Sequence, residues 1–157
     1  MNNAVMLSIR PEWCAKIAFG EKTVEVRKTR PMLDPPFKCY IYETKGRMKI
    51  NRGGWHLWRI GFGAIVGEFI CDRIEYLDID SEGVGFWENN DFLYLVNLPG
   101  WKTAMTRQDI IRYCNAKRPY GWHISGLKIY DEPRPLSYFG LKRPPQSWCY
   151  VQEEENG

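Results

Sequence analysis

The sequence predicts an α+β fold, a small barrel of mixed strands with two short helices at its periphery. Three observations carry that expectation. Short apolar segments with two-residue alternation recur along the chain, only two stretches have helical spacing, and Gly or Pro separates nearly all of these segments. At 157 residues the chain is the length of one domain, so 1–157 is expected to fold around a single core. Its 44% hydrophobic and 26% charged residues are globular composition.

The elements follow in order. Val5 to Ile9 form a short apolar strand, and Arg10-Pro11-Glu12 opens a helix with proline in the first turn, where a missing N–H costs least. Trp13, Cys14 and Ile17 fall on one face of that helix, and Gly20 stops it. The strand Thr23 to Lys28 is broken by the proline-rich Pro31 to Pro36, after which Phe37 to Glu43 alternates as a strand. The stretch RMKINRGGWHLWRIGFG is a loop or hairpin excursion. Ala64 to Tyr76 is a strong strand, bent at Gly67. Asp78 to Gly100 is irregular. Thr106 has the character of an N-cap ahead of Ile110 and Ile111, giving a helix to about Asn115. Tyr120 to Tyr130 is a strand ended by Asp131-Glu132-Pro133, Leu136 to Phe139 one helical turn, and Ser147 to Val151 the closing strand. The domain thus carries loop insertions around 46–62 and 78–105.

Composition excludes several classes. No apolar run approaches the roughly 20 residues that cross a bilayer, and the start MNNAVMLSIRPEWC lacks a signal-peptide pattern, so a cytoplasmic protein with no membrane partner is expected. Five widely spaced cysteines without a CxxC pair argue against a disulfide framework and against a zinc site. With two histidines besides, no metal and no cofactor are expected. A net charge of +3 is not that of a globally basic nucleic-acid protein, so any such footprint must be local.

Two regions have that local character. In GEKTVEVRKTRP, Val24 and Val26 point to one side of a strand and Glu25 and Arg27 to the other, with Lys22 at its entrance and Lys28 behind it. This is either a solvated strand face or a carboxylate held between cations to orient a ligand. The second region runs from Lys45 to Arg59. It combines Lys45, Arg47, Lys49, Arg52 and Arg59 with Trp55 and Trp58, and no acid occurs between Thr44 and Gly67. Cations neutralise phosphates and indoles stack on bases, so a solvated loop and a nucleic-acid loop are both compatible with it.

GEKTVEVR resembles the GxKxxExR signature of ASCH domains, members of the PUA-like superfamily, at Gly20, Lys22, Glu25 and Arg27. LSIRPEWCAKIAFGEKTVEVRK is similar to the first strand, helix and second strand of that domain, and IVGEFICDRIEYL to its long central strand. YGWHISGLKIYDEPRPLSYF followed by RPPQSWCYV resembles the closing part of phage and prophage members. The resemblance runs from about Met6 to Val151. It implies a PUA-like β-barrel with a cleft beside the first helix, lined by the signature residues and accepting RNA or a nucleotide-derived ligand. Lys22 and Arg27 would hold phosphate or carbonyl oxygens, Glu25 would orient them or accept a base N–H, and Trp122 and His123, which alternation sets on opposite faces of their strand, would each face the cleft or the core.

The same resemblance implies a second reading, a hydrolase acting on nucleic-acid components. Some relatives remove an acyl group from modified cytidine and others are ribonucleases. The amidohydrolase pattern uses a lysine, a threonine three residues later and a glutamate from the central strand. Lys22 and Glu68 fit, but Glu25 stands where the threonine belongs, which puts binding ahead of catalysis. If Glu68 faces the cleft, it forms with Glu25 and Lys22 a constellation for proton transfer. A protein-interaction module docking through the Trp-rich stretch is the third reading.

Overall fold

Ala4–Ile9 (β1) is buried along nearly its whole length, as a strand covered on both faces must be. The structure, a computed structural model, describes residues 3–52 and 55–155, with their side chains except those of 50–57. After β1 come α1 (Pro11–Ala18), β2 (Val24–Arg27), β3 (Phe37–Glu43), β4 (Arg47–Arg52), β5 (Trp55–Ile60) and β6 (Ala64–Tyr76). Then follow β7 (Asp78–Ile79), β8 (Val84–Glu88), β9 (Asp91–Tyr94), α2 (Arg107–Cys114), β10 (Tyr120–Arg134) and β11 (Trp148–Val151).

Six strands form one sheet in the order β11-β1-β3-β6-β10-β2, curled into a half-barrel. β1 and β3 are parallel and the other neighbours antiparallel, so the expected α+β barrel of mixed strands is the fold observed. One face packs Val5, Leu7, Phe37, Cys39, Phe69 and Trp122 against Cys14 and Ile17 of α1. The other face packs Met6, Tyr40 and Ile65 beneath Leu136, Phe139 and Leu141. Among the described residues, no helix is long and apolar enough to cross a membrane.

The helices form for the reasons their ends predict. Pro11 opens α1, and Gly20 closes its last turn at φ 76°, a left-handed conformation that glycine adopts without strain. Thr106 and Asp109 make a reciprocal capping box on α2, and Asn115 ends it in the left-handed region.

One segment takes an alternative the sequence left open, and two differ from expectation. The excursion after β3 is an ordered two-stranded ribbon of β4 and β5. The stretch 78–100 is not irregular but a three-stranded sheet of β7, β8 and β9, turned at Asn89-Asn90 with φ 51° and 67°. Two positive φ values suit the tight turn of a hairpin, and asparagine tolerates them. β10 continues past Asp131-Glu132-Pro133 to Arg134. Its pairing to β6 jumps from Ile129 to Arg134, so Pro133 lies in the irregular part and breaks no ladder bond.

Candidate functional site

β2 lies at the edge of the half-barrel, and both its faces are covered. Lys102 covers its free edge: its carbonyl accepts from the backbone N–H of Thr23 (2.8 Å) and of Val24 (3.0 Å). The same segment brings the Thr103 carbonyl to Lys22, whose Nζ donates to it at 2.6 Å. Lys22 is 2% exposed. Its ammonium stands 3.8 Å from Glu25 Oε2 and 5.0 Å from the centre of the Trp13 ring. Burial, opposed by Glu25 and assisted by Arg27, pushes its pKa below the ordinary lysine value of 10.5.

Arg27 is committed in three directions. Nε donates to Glu25 Oε1 at 3.0 Å, Nη1 to the carbonyl and hydroxyl oxygens of Ser147 at 3.1 Å each, and Nη2 to the Ser8 carbonyl at 2.8 Å. Four of the five guanidinium N–H groups are thereby used within the protein. Arg27 is therefore a positioning residue. It fixes one oxygen of Glu25 and leaves the other, Oε2, buried with no hydrogen-bond partner.

These groups line a cleft of about 570 Å³ between the start of α1, β2, the 103–105 segment, α2 and the Gln146-Ser147 turn. Arg10, Lys22, Arg27 and Lys28 stand in its wall against one carboxylate, Glu25, so the cleft is electropositive. Trp13 and Tyr113 supply aromatic surface, and Lys28 Nζ lies 5.0 Å from the Tyr113 ring centre at the rim. The arrangement can donate from Lys22 to a ligand oxygen and accept a ligand N–H at Glu25 Oε2. It offers no thiolate: burial raises the pKa of all five cysteines, Cys71 to about 12.

No protein family matches the sequence, and no curated protein matches it either. Solved structures do. The crystal structure of ASCH from Zymomonas mobilis superposes with a TM-score of 0.65 over 98% of this chain and 90% of that one, at 17% identity. A tyrosine-to-phenylalanine mutant of the same protein gives 0.66, covering 96% and 91%, again at 17% identity. The chain has the ASCH fold.

On that fold the residues singled out from sequence separate into two groups. Lys22, Glu25, Arg27 and Lys28 come together in the cleft. Glu68 does not. It pairs in register with Tyr40 on the opposite sheet face, where Lys38 Nζ donates to it at 2.9 Å and Tyr130 Oη at 2.8 Å. Burial raises its pKa, but these hydrogen bonds outweigh burial and hold the carboxylate below its ordinary range. A pair of Glu25 and Glu68 for proton transfer is thus ruled out by the sheet between them.

Trp122 stands opposite Glu25 in register, and so on the cleft side of β10, yet it is fully buried between Phe37 and Trp148, each ring centre 6.0 Å away. It is a core residue, not a stacking wall. Neighbouring His123 faces the other way, opposite Val24, with Nδ1 2.7 Å from Asp72 Oδ1 and Nε2 3.0 Å from the Gly100 carbonyl. It braces the 100–103 segment from behind. In the basic stretch, Arg59 is paired with Glu43 at 2.7 and 3.2 Å and is no free cation. Lys45, Arg47, Lys49 and Trp58 are exposed, and the side chains of Arg52 and Trp55 lie outside the described residues.

Sequence reasoning missed the aromatic walls and the oxygen partners. Trp13 sat on the apolar helix face and was counted toward the core, which it joins only in part. Tyr113 follows the apolar pair of α2, and the Thr103 and Ser147 carbonyls carry no side-chain signal at all.

Proposed function

We propose that the cleft binds RNA or a nucleotide-derived ligand and reads a base edge that presents an N–H beside a carbonyl. The observation that carries this is Glu25 Oε2, a buried carboxylate oxygen without a hydrogen-bond partner, 3.8 Å from the ammonium of a lysine with donors to spare. A buried charged acceptor left unsatisfied costs well over 1 kcal/mol, so the site is organised for a donor that arrives from outside. The electropositive wall suits a phosphate, and Trp13 and Tyr113 offer faces on which a base can stack.

The test is a calorimetric titration with mononucleotides, and an anisotropy titration with single-stranded RNA, at low salt. Glu25→Gln is expected to weaken both by about 10-fold or more, the loss of a hydrogen bond to a charged group, with the fold intact. Unchanged affinity in Glu25→Gln and in Lys22→Ala would rule out this site.

Lys22 favours a second reading, a hydrolase acting on nucleic-acid components, because a buried lysine of depressed pKa can serve as a base. The two readings have opposite pH signs. A protonated Lys22 that holds a ligand oxygen loses its charge as pH rises through its pKa, so affinity falls there, below pH 10.5. A catalytic base must be neutral, so turnover of acylated cytidine or RNA would rise through the same range. Binding isotherms and hydrolysis rates measured from pH 6 upward distinguish them, and affinity flat with pH in wild type would exclude an ionised Lys22 from recognition.

A further inference from the structure

The ribbon of β4 and β5 stands apart from the six-stranded sheet and, among the described residues, pairs with no third strand. Its register sets Arg47 opposite Ile60 and Lys49 opposite Trp58, so these four side chains share one face. All are exposed, Trp58 to 64% and Ile60 to 65%. Among the described residues neither Arg47 nor Lys49 meets a carboxylate, and the sequence has no acid from 45 to 67. The opposite face is different. There Arg59 is held by buried Glu43, which also accepts the Phe62 N–H at 3.1 Å, and this locks the root of the ribbon to the end of β3.

That root packs against the start of α1. Gly61 N–H donates to the Gly46 carbonyl at 2.8 Å, and a Cβ on Gly61 would collide with the Thr44 carbonyl and the Pro11 ring. Pro11 opens α1, and its neighbours Arg10 and Trp13 line the cleft. A ribbon about 20 Å long, with two cations and an indole on one face, therefore starts beside α1, the helix whose Trp13 lines the cleft. An apolar protein surface laid on it would bury two unpaired cations. A sugar-phosphate strand would satisfy both cations and place a base on the indole.

We propose that this face holds the stretch of single-stranded RNA that runs on from a nucleotide seated in the cleft, an inference that rests on the cleft reading above. Arg47 and Lys49 take phosphates, and Trp58 stacks a base. The chain then has two determinants, one for a base edge and one for the flanking backbone.

The test compares mononucleotides with a mixed-sequence RNA of about ten nucleotides. Proteins are wild type, Trp58→Ala, the double variant Arg47→Ala/Lys49→Ala, and Glu25→Gln, the ribbon variants checked for an unchanged thermal midpoint and Glu25→Gln, which loses a buried ion pair, for being folded at the temperature of the titration. Trp58→Ala is expected to weaken the oligonucleotide by about 10-fold or more, as the loss of one stacked base does. The double variant is expected to flatten the slope of log affinity against log salt by about 1.4. Mononucleotide affinity stays unchanged in both.

Several results would overturn the proposal. If the ribbon variants leave oligonucleotide affinity intact while Glu25→Gln lowers it, the ribbon takes no part and the cleft reading survives. If the ribbon variants weaken the oligonucleotide but Glu25→Gln leaves mononucleotide binding unchanged, the ribbon acts without the cleft and the continuity is wrong. Equal displacement of the RNA by polyglutamate, insensitive to Trp58→Ala, would reduce the face to a polyanion contact.

Discussion

Arg27→Met is expected to lower the unfolding free energy by about 3–5 kcal/mol, the range found when one partner of a buried ion pair is removed. Three losses combine. Glu25, 7% exposed, keeps only the ammonium of Lys22 at 3.8 Å, and the carbonyls of Ser8 and Ser147 lose their donors. The change joins β2 less firmly to β1 and to the closing turn. Urea denaturation at unchanged m-value measures it. The double variant Glu25→Gln/Arg27→Met should lose less than the sum of the singles, because the amide no longer needs a cation. Stability equal to wild type, with binding lost, would show instead that the guanidinium is kept for the ligand and not for the fold.

Trp122→Ala is expected to cost about 3–5 kcal/mol as well, by a different route. The indole fills the barrel interior at 0% exposure, and its removal leaves a cavity lined by Phe37 and Trp148 that neighbours fill only in part. Trp122→Phe should cost less, since it keeps a ring and deletes an indole N–H that has no partner. Mononucleotide affinity of the folded protein should be unchanged in Trp122→Phe, measured by calorimetry. A loss of affinity there would return Trp122 to the ligand site.

These two residues mark what was legible in the sequence. The alternation in TVEVR correctly separated Glu25 and Arg27 from the valines, because parity within one strand is local. It could not say that both faces would be buried, since that depends on residues far along the chain, such as Ser147 against Arg27 on one face and Leu77 beside Val24 on the other. Likewise the alternation in YGWHIS set Trp122 and His123 on opposite faces, but which face met the cleft waited on the pairing of Trp122 with Glu25. The capping box at Thr106 was readable because its partners are three residues apart. The hairpin at Asn89-Asn90 was equally local and went unread, hidden by aromatic residues on both sides of its strands. Arg59 could not be told from its free neighbours, because its partner Glu43 is 16 residues away and on another sheet.

The hydrogen bonds that orient the site have a temporal meaning too. Lys22 finds its acceptor 81 residues later and Arg27 its second anchor 120 residues later. The charged cluster is complete early in synthesis, but it is only a run of mobile charges until the 103 segment and the Ser147 turn have arrived. Contacts of such long sequence separation form late, after the entropy of closing the intervening chain has been met. A chain folded only as far as β6 would carry Lys22, Glu25 and Arg27 without the cleft that holds them. The cleft is thus complete only when the closing turn docks, and an incompletely folded copy lacks it.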